Sequence, residues 1–239
     1  MSSQNLNRIL CIAEPRGDVG AIERLLQAAA ERRPDMVAVV GDLSSGGAAE
    51  GYRSVFQALA VAGRPAYWVP GPGDAPLGTY LREAHTSESV HPNLHGVHGT
   101  AALTPGGHVV VAGLGGEIDD DPAAERDEQV RLRYPRVEAE YRLKVLGELD
   151  EHERVLLFWS RPAHKHLGAG GSETVAELVN TYRARLVVCD GPRGTEMLGK
   201  RSLVVAPGSL RDGHYAVADL RRHAVELAEL APSGSGLSR

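Results

Sequence analysis

The feature that most limits what this chain can fold into is the exchange, between residues 9 and 69, of short all-apolar runs with segments of helical period. Apolar runs stand at 9–13, 36–40 and 66–69. Between the first two, Ile22, Leu25 and Leu26 mark a helix over 21–30, and a second helix is expected over 49–62. Two successive strand–helix–strand crossovers build a mostly parallel sheet. In such a sheet the loops at the strand ends carry the chemistry.

Further on, short apolar stretches around Val97 and at 109–114, separated by Gly106-Gly107, read as hairpin-like strands of a second sheet layer. The segment 117–150 is heavily charged. Within it Val130, Tyr134, Val137, Tyr141, Val145 and Leu149 recur at three- and four-residue steps, which predicts an amphipathic helix with a break near Pro135. A strand at 155–159, a helix at 173–182, strands at 186–189 and 202–206, and an antiparallel edge pair at 215–220 and 225–230 complete a single domain over 1–230. The remainder, 231–239, lacks apolar content and is expected to be disordered.

Composition narrows the function classes. The chain has 239 residues, 42% hydrophobic, with a formal net charge of -5, so it has no overall basic field to draw it onto a phosphate backbone, and no nucleic-acid partner is expected. Only Lys144, Lys165 and Lys200 are lysines among the 26 basic residues; the scattered arginines read as coding bias. Cys11 and Cys189 lie inside apolar runs, outside any zinc or redox spacing, and read as reduced core residues. No run approaches the roughly 18 apolar residues of a membrane span. A cytoplasmic location and no membrane partner are the expectations.

Four segments stand at strand ends in a fixed order: IAEPRGDVGAIERLL at 12–26, VVGDL at 39–43, VAGLGG at 111–116 and the stretch 171–220, with its helix, strand, loop, strand and Pro-Gly-Ser. In that order they resemble the calcineurin-like metallophosphoesterases, and within them the Icc-related phosphoesterases. The resemblance implies an α/β fold of four layers, a two-layered mixed β-sheet sandwich flanked by helices. It also implies two divalent metals held by Asp, Asn and His at the strand ends, because hydrolysis at phosphorus needs paired Lewis acids.

Against that pattern most ligand positions are changed. The family's Asp-x-His reads Glu14-Pro15-Arg16, and its Gly-Asn-His with a following acid reads Gly71-Pro72-Gly73-Asp74. A histidine position reads Ser160, and Gly-His-x-His reads Asp190-Gly191-Pro192-Arg193. Asp42, the bridging carboxylate of the family, is retained. Arginine stays protonated and has no acceptor with which to ligate a metal. The expectation is therefore a protein without cofactor or hydrolytic activity, whose former active site is a cluster of Glu14, Arg16, Asp42, Asp74, Ser160, Arg161, Asp190 and Arg193. That cluster is either a set of salt bridges or, through Arg16, Arg161 and Arg193, a phosphate-binding pocket. A protein partner or self-association is expected, with the charged segment 117–150 as its candidate surface, and a phosphorylated small molecule is the alternative partner. An unconventional metal site built from Glu14, Asp42 and Asp74 with His164 or His166 is a third alternative. His91, His95 and His98 read as a surface turn, and Asp119-Asp120-Asp121 as a solvated face.

Overall fold

A computed structural model describes residues 6–231, so residues 232–239 of the expected tail lie outside the described part. In chain order the elements are β1 (Arg8–Ala13), α1 (Val19–Ala28), β2 (Met36–Val40), α2 (Ala49–Val61), β3 (Ala66–Val69), α3 (Leu77–Val90) and β4 (Leu94–Gly96). They continue with β5 (Thr100–Leu103), β6 (Val109–Leu114), β7 (Glu117–Asp119), β8 (Arg133–Pro135), α4 (Arg136–Leu143), β9 (Glu153–Phe158) and α5 (Glu173–Thr181). The last are β10 (Leu186–Cys189), β11 (Gly194–Leu198), β12 (Ser202–Ala206), β13 (His214–Asp219) and β14 (Ala224–Glu229).

Two six-stranded sheets form, in the orders β14-β13-β1-β2-β3-β4 and β11-β12-β10-β9-β6-β5, with β7 and β8 as a separate short pair. In the first, β1 to β4 run parallel and β13 and β14 are antiparallel. In the second, β6, β9, β10 and β12 run parallel, with antiparallel β5 and β11 at the edges.

Alternation along each strand builds the layers. Ile9, Cys11, Met36, Ala38 and Val40 meet Val155, Leu157, Leu186 and Val188 in one buried cluster between the sheets. The alternate residues Leu10, Ile12, Val37, Val39, Leu156 and Val187 pack outward, in a second cluster with Ile22 and Leu25 of α1, Phe56 of α2 and Val175 of α5. A strand covered on both faces reads as an unbroken apolar run, which is why these strands stood out in the sequence. The result is the mixed α/β sandwich flanked by helices that the resemblance implies. Asp18 caps α1, accepting from the Ala21 N–H at 2.8 Å, and Ser172 caps α5, accepting from the Val175 N–H at 3.2 Å.

Three expectations need correction. The hairpin of the second sheet does form across Gly106-Gly107, but its first strand is β5 and not the stretch at Val97, which follows β4 at the edge of the first sheet, parallel to β3. The long helix of the charged segment shrinks to α4 and a following 3₁₀ turn over Lys144–Glu148. Its expected apolar stripe is largely outside the core, with Val130 85% exposed, Val137 53% and Tyr141 76%, whereas the small Ala139 with Leu143 and Leu146 is buried. Tyr134 is buried, but as part of β8. Finally, α3 and β11 were not anticipated. Along α3 only Leu77, Tyr80, Glu83 and Ala84 are buried, and one of those four is a carboxylate paired with Arg53 at 2.7 Å, so no apolar period shows.

Candidate functional site

The C-terminal ends of the parallel strands of both sheets face one another, as ligand sites of open α/β sheets do. After β1 the chain turns through Glu14, Pro15 and Arg16, and after β2 through Gly41 and Asp42. The two turns run side by side, with the Glu14 N–H donating to the Val40 carbonyl at 3.0 Å and the Arg16 N–H to the Asp42 carbonyl at 2.8 Å. Glu14 (φ 50°), Arg16 (φ 45°) and Asp42 (φ 33°) all lie in the left-handed region, where a side chain costs on the order of 1 kcal/mol. Three such residues within one site mark a backbone whose shape is fixed by its surroundings.

Arg16 bridges the two turns. Its Nη2 lies 2.9 Å from Glu14 Oε1 and 3.1 Å from Asp42 Oδ2. The hydrogen bond to Glu14, aided by the charges of Glu14, Asp42 and Asp190, raises the guanidinium's pKa. The second oxygen of Asp42 accepts from the Gly73 N–H at 2.9 Å. Asp190, after β10, is pushed up to about 6, first by burial and then by the charge of Glu14, with Asp42 adding and the Gly191 N–H and Arg16 opposing. Glu14, Arg16, Asp42 and Asp190 thus form one electrostatic group drawn from both sheets.

The other expected members do not join it directly. Asp74 is fully buried, and its carboxylate accepts from the Leu43 N–H at 2.9 Å, the Ser44 N–H at 3.0 Å and the Gly71 N–H at 2.8 Å. Burial pushes it up to about 6 against those bonds. Its place is to tie the loop after β2 to the loop after β3. The Ser160 hydroxyl accepts from the Ile118 N–H at 2.8 Å. Arg161 donates to the Ala169 carbonyl and lies against Gly191. It lines a cavity of about 420 Å³ together with Glu117, Arg131, Trp159 and Asp190. Arg193 is exposed beside Gly208.

Several contributors escaped sequence reasoning. The Trp159 ring covers Gly41, where an added Cβ would sit 2.3 Å from the ring. Arg131 stacks over Trp159 at 6.0 Å and pairs with Glu117 at 2.9 Å. Asp120, expected on a solvated face, accepts from the Ser172 hydroxyl at 2.6 Å and from the Glu173 and Thr174 N–H groups, each at 2.9 Å, at the start of α5. Burial opposes its ionisation, but these bonds hold its pKa below the usual range. Asp120 is nonetheless exposed, as expected, whereas His98 is not a surface residue. It is buried, accepts from the Gly115 N–H at 3.0 Å and lies 3.1 Å from the Tyr134 hydroxyl, and burial pushes it down to about 3. The only signals for these roles were Gly41 before Asp42 and the Ser-Glu-Thr start of α5.

The family's fold implies a pair of divalent metals at this end of the sheets, and the residues present do not fit one. Arg16 places a fixed positive charge between Glu14 and Asp42, and the oxygens of Asp74 are occupied by backbone donors. Among the described residues no three His, Cys, Asp or Glu side chains group as a metal-ligand set.

A family model described as metallophosphoesterase, calcineurin superfamily, matches residues 48–230. No curated protein matches the chain in sequence. Among solved structures, the protein TT1561 of Thermus thermophilus is 40% identical with a TM-score of 0.89, over 95% of this chain and 100% of that one. A dimetal phosphatase from Danio rerio is similar in fold, with a TM-score of 0.62 at 11% identity over 95% of this chain and 99% of that chain. A 5'-nucleotidase from Candida albicans is also similar in fold, with a TM-score of 0.59 at 10% identity over 95% of this chain and 52% of that chain. With its two sheets, its strand-end loops and these matches taken together, the chain belongs to the calcineurin superfamily of metallophosphoesterases.

Proposed function

We propose that this chain is a metallophosphoesterase-fold protein that does not hydrolyse phosphoesters and acts by binding another protein or a second copy of itself. The observation that carries the first half is Arg16, whose guanidinium lies between Glu14 and Asp42. Phosphoester hydrolysis on this fold calls for a cation that lowers the pKa of bound water and polarises the phosphoryl oxygens. A guanidinium supplies charge but no open coordination position, and it cannot generate hydroxide. The acid that would protonate the leaving group is also missing, since Pro72 and Gly73 stand where the family has Asn and His.

Support for the second half comes from the charged segment. Val137 and Tyr141 on α4 and Val145 in the turn after it follow one another at four-residue steps and are exposed. A row of apolar side chains turned to solvent is the kind of surface that binds protein. One observation favours a second reading, in which the former active site senses a phosphorylated small molecule: the cavity of about 420 Å³ lined by Arg131 and Arg161, with exposed Arg193 on the adjoining loop. Arginine forks suit phosphate oxygens.

The test is elemental analysis of protein desalted after excess manganese, joined to hydrolysis of bis(p-nitrophenyl) phosphate. The expected outcome is no retained metal and no turnover above that of the Asp42→Asn variant. Near-stoichiometric manganese with turnover abolished by Asp42→Asn would overturn the proposal. Thermal stabilisation by a nucleotide that is lost in Arg161→Ala would select the second reading.

A further inference from the structure

The opposite end of the sandwich, where the parallel strands begin, carries a concentration of arginine that the candidate active site does not use. At the start of β9, β10 and β12 a cavity of about 400 Å³ is lined by Arg154, Arg183, Arg185 and Arg201, with His152 beside them. Its two carboxylates are already engaged. Asp150 pairs with Arg154 Nη2 at 2.7 Å, and Glu153 pairs with Arg185 Nη1. Arg183 and Arg201 are exposed at its rim with no carboxylate within ion-pair distance among the described residues. A chain of net charge -5 thus holds a concave site with two surplus positive charges.

Arg154 is 5% exposed, and it donates from Nη1 to the Tyr182 carbonyl at 2.8 Å and from Nη2 to the Leu146 carbonyl at 3.0 Å. Its Nε is buried without a partner, as are Arg185 Nε and His152 Nδ1, so three residues lining one cavity each keep an unsatisfied ring or guanidinium nitrogen. Those three nitrogens are enclosed by protein, so the open donors of the cavity are those of Arg183 and Arg201 at its rim. Arg183 adds a backbone argument. It follows the C-terminus of α5 at φ 50°, a position where glycine is the unstrained choice.

The surplus charge extends sideways. Arg185 Nη2 donates to the Leu220 carbonyl at 2.6 Å, and the next residues, Arg221 and Arg222, line a neighbouring cavity of about 490 Å³ with Arg8 and Arg33. Two adjoining arginine-lined cavities suit a ligand with more than one anionic group, and a volume of 400 Å³ lies in the range of small-molecule sites.

We propose that this end of the molecule is a second site, which binds a small molecule bearing two or more phosphate groups through Arg183 and Arg201, with Arg154 and Arg185 adding positive charge behind them. Guanidinium forks match phosphate oxygens two at a time, which favours phosphate over carboxylate ligands of the same charge. The site lies at the end of the strands opposite Arg16 and Asp42, so substitutions in the former active site leave its lining intact.

Isothermal titration of the full chain with inorganic pyrophosphate at low salt tests the proposal. One saturable event is expected, weakened about tenfold or more in Arg183→Ala/Arg201→Ala, because two charge-assisted contacts are removed. Both side chains are exposed, and an unchanged circular dichroism spectrum and melting temperature establish that the variant is folded. Arg161→Ala should bind as the parent does. No saturable heat, parent-like binding by the double variant, or loss of binding in Arg161→Ala would each overturn the proposal.

Discussion

Asp190 ties the electrostatics of the site to pH. Its carboxyl is pushed up to about 6 by burial and by the neighbouring charge of Glu14, whereas an aspartate in an unfolded chain titrates near 4. Between those values the folded protein holds a proton that the unfolded chain has released. The contribution of this group to stability is therefore greatest below about pH 4, is lost as pH rises through about 6, and is flat above. Asp190→Asn should remove that dependence, gaining about 1–2 kcal/mol over the parent in urea denaturation at pH 7.5 and little at pH 4.5. A variant no more stable than the parent at pH 7.5 would mean that Arg16 compensates Asp190 fully. Which residues gather here was partly legible in the sequence. Glu14, Arg16 and Asp42 sit next to strand ends in recognisable positions, and the fold fixes strand ends in space. Asp74 misled because sequence position does not say where a carboxylate points, and this one turns inward onto three backbone N–H groups.

Strands were the most legible elements and the middle of the chain the least, for one physical reason. A strand buried on both faces must be apolar there, and β2 and β10 are apolar throughout, as are residues 9–13 of β1, 155–158 of β9 and 203–206 of β12. The helix α4 needs only a small buried patch, and its conspicuous side chains, Val137 and Tyr141, lie on the exposed side. How the elements lock together was not legible at all, since contact between Trp159 and Gly41 joins loops of different sheets that are 118 residues apart in sequence. Gly41 has φ 73° and no room for a Cβ beneath the ring. Gly41→Ala should therefore destabilise the domain by about 2–4 kcal/mol, combining left-handed strain with overpacking. Equilibrium denaturation would check this, and a loss below about 0.5 kcal/mol would mean that the tryptophan moves aside freely.

The two sheets are joined along their length by an apolar interface, and at the C-terminal end of the strands charged loops from both sheets come together. In a dimetal enzyme of this fold, cations hold that end, and removing them leaves carboxylates from both sheets to repel each other. A metal that binds only the folded state adds RT ln(1 + [L]/Kd) to stability, about 4 kcal/mol at a thousandfold excess over Kd. For a domain of this size such a loss would lower the melting temperature by roughly 10 °C. On the proposed reading the compensating charge is covalent, because Arg16 lies between Glu14 and Asp42 as part of the chain. Scanning calorimetry with and without excess EDTA should give melting temperatures within about 1 °C of each other, and millimolar manganese should not raise either by more than about 2 °C. A fall of several degrees on chelation would place a structural cation between the sheets and assign Arg16 a place beside it. An unchanged melting temperature together with destabilisation in Arg16→Leu would identify the guanidinium as the group that holds the two loops closed.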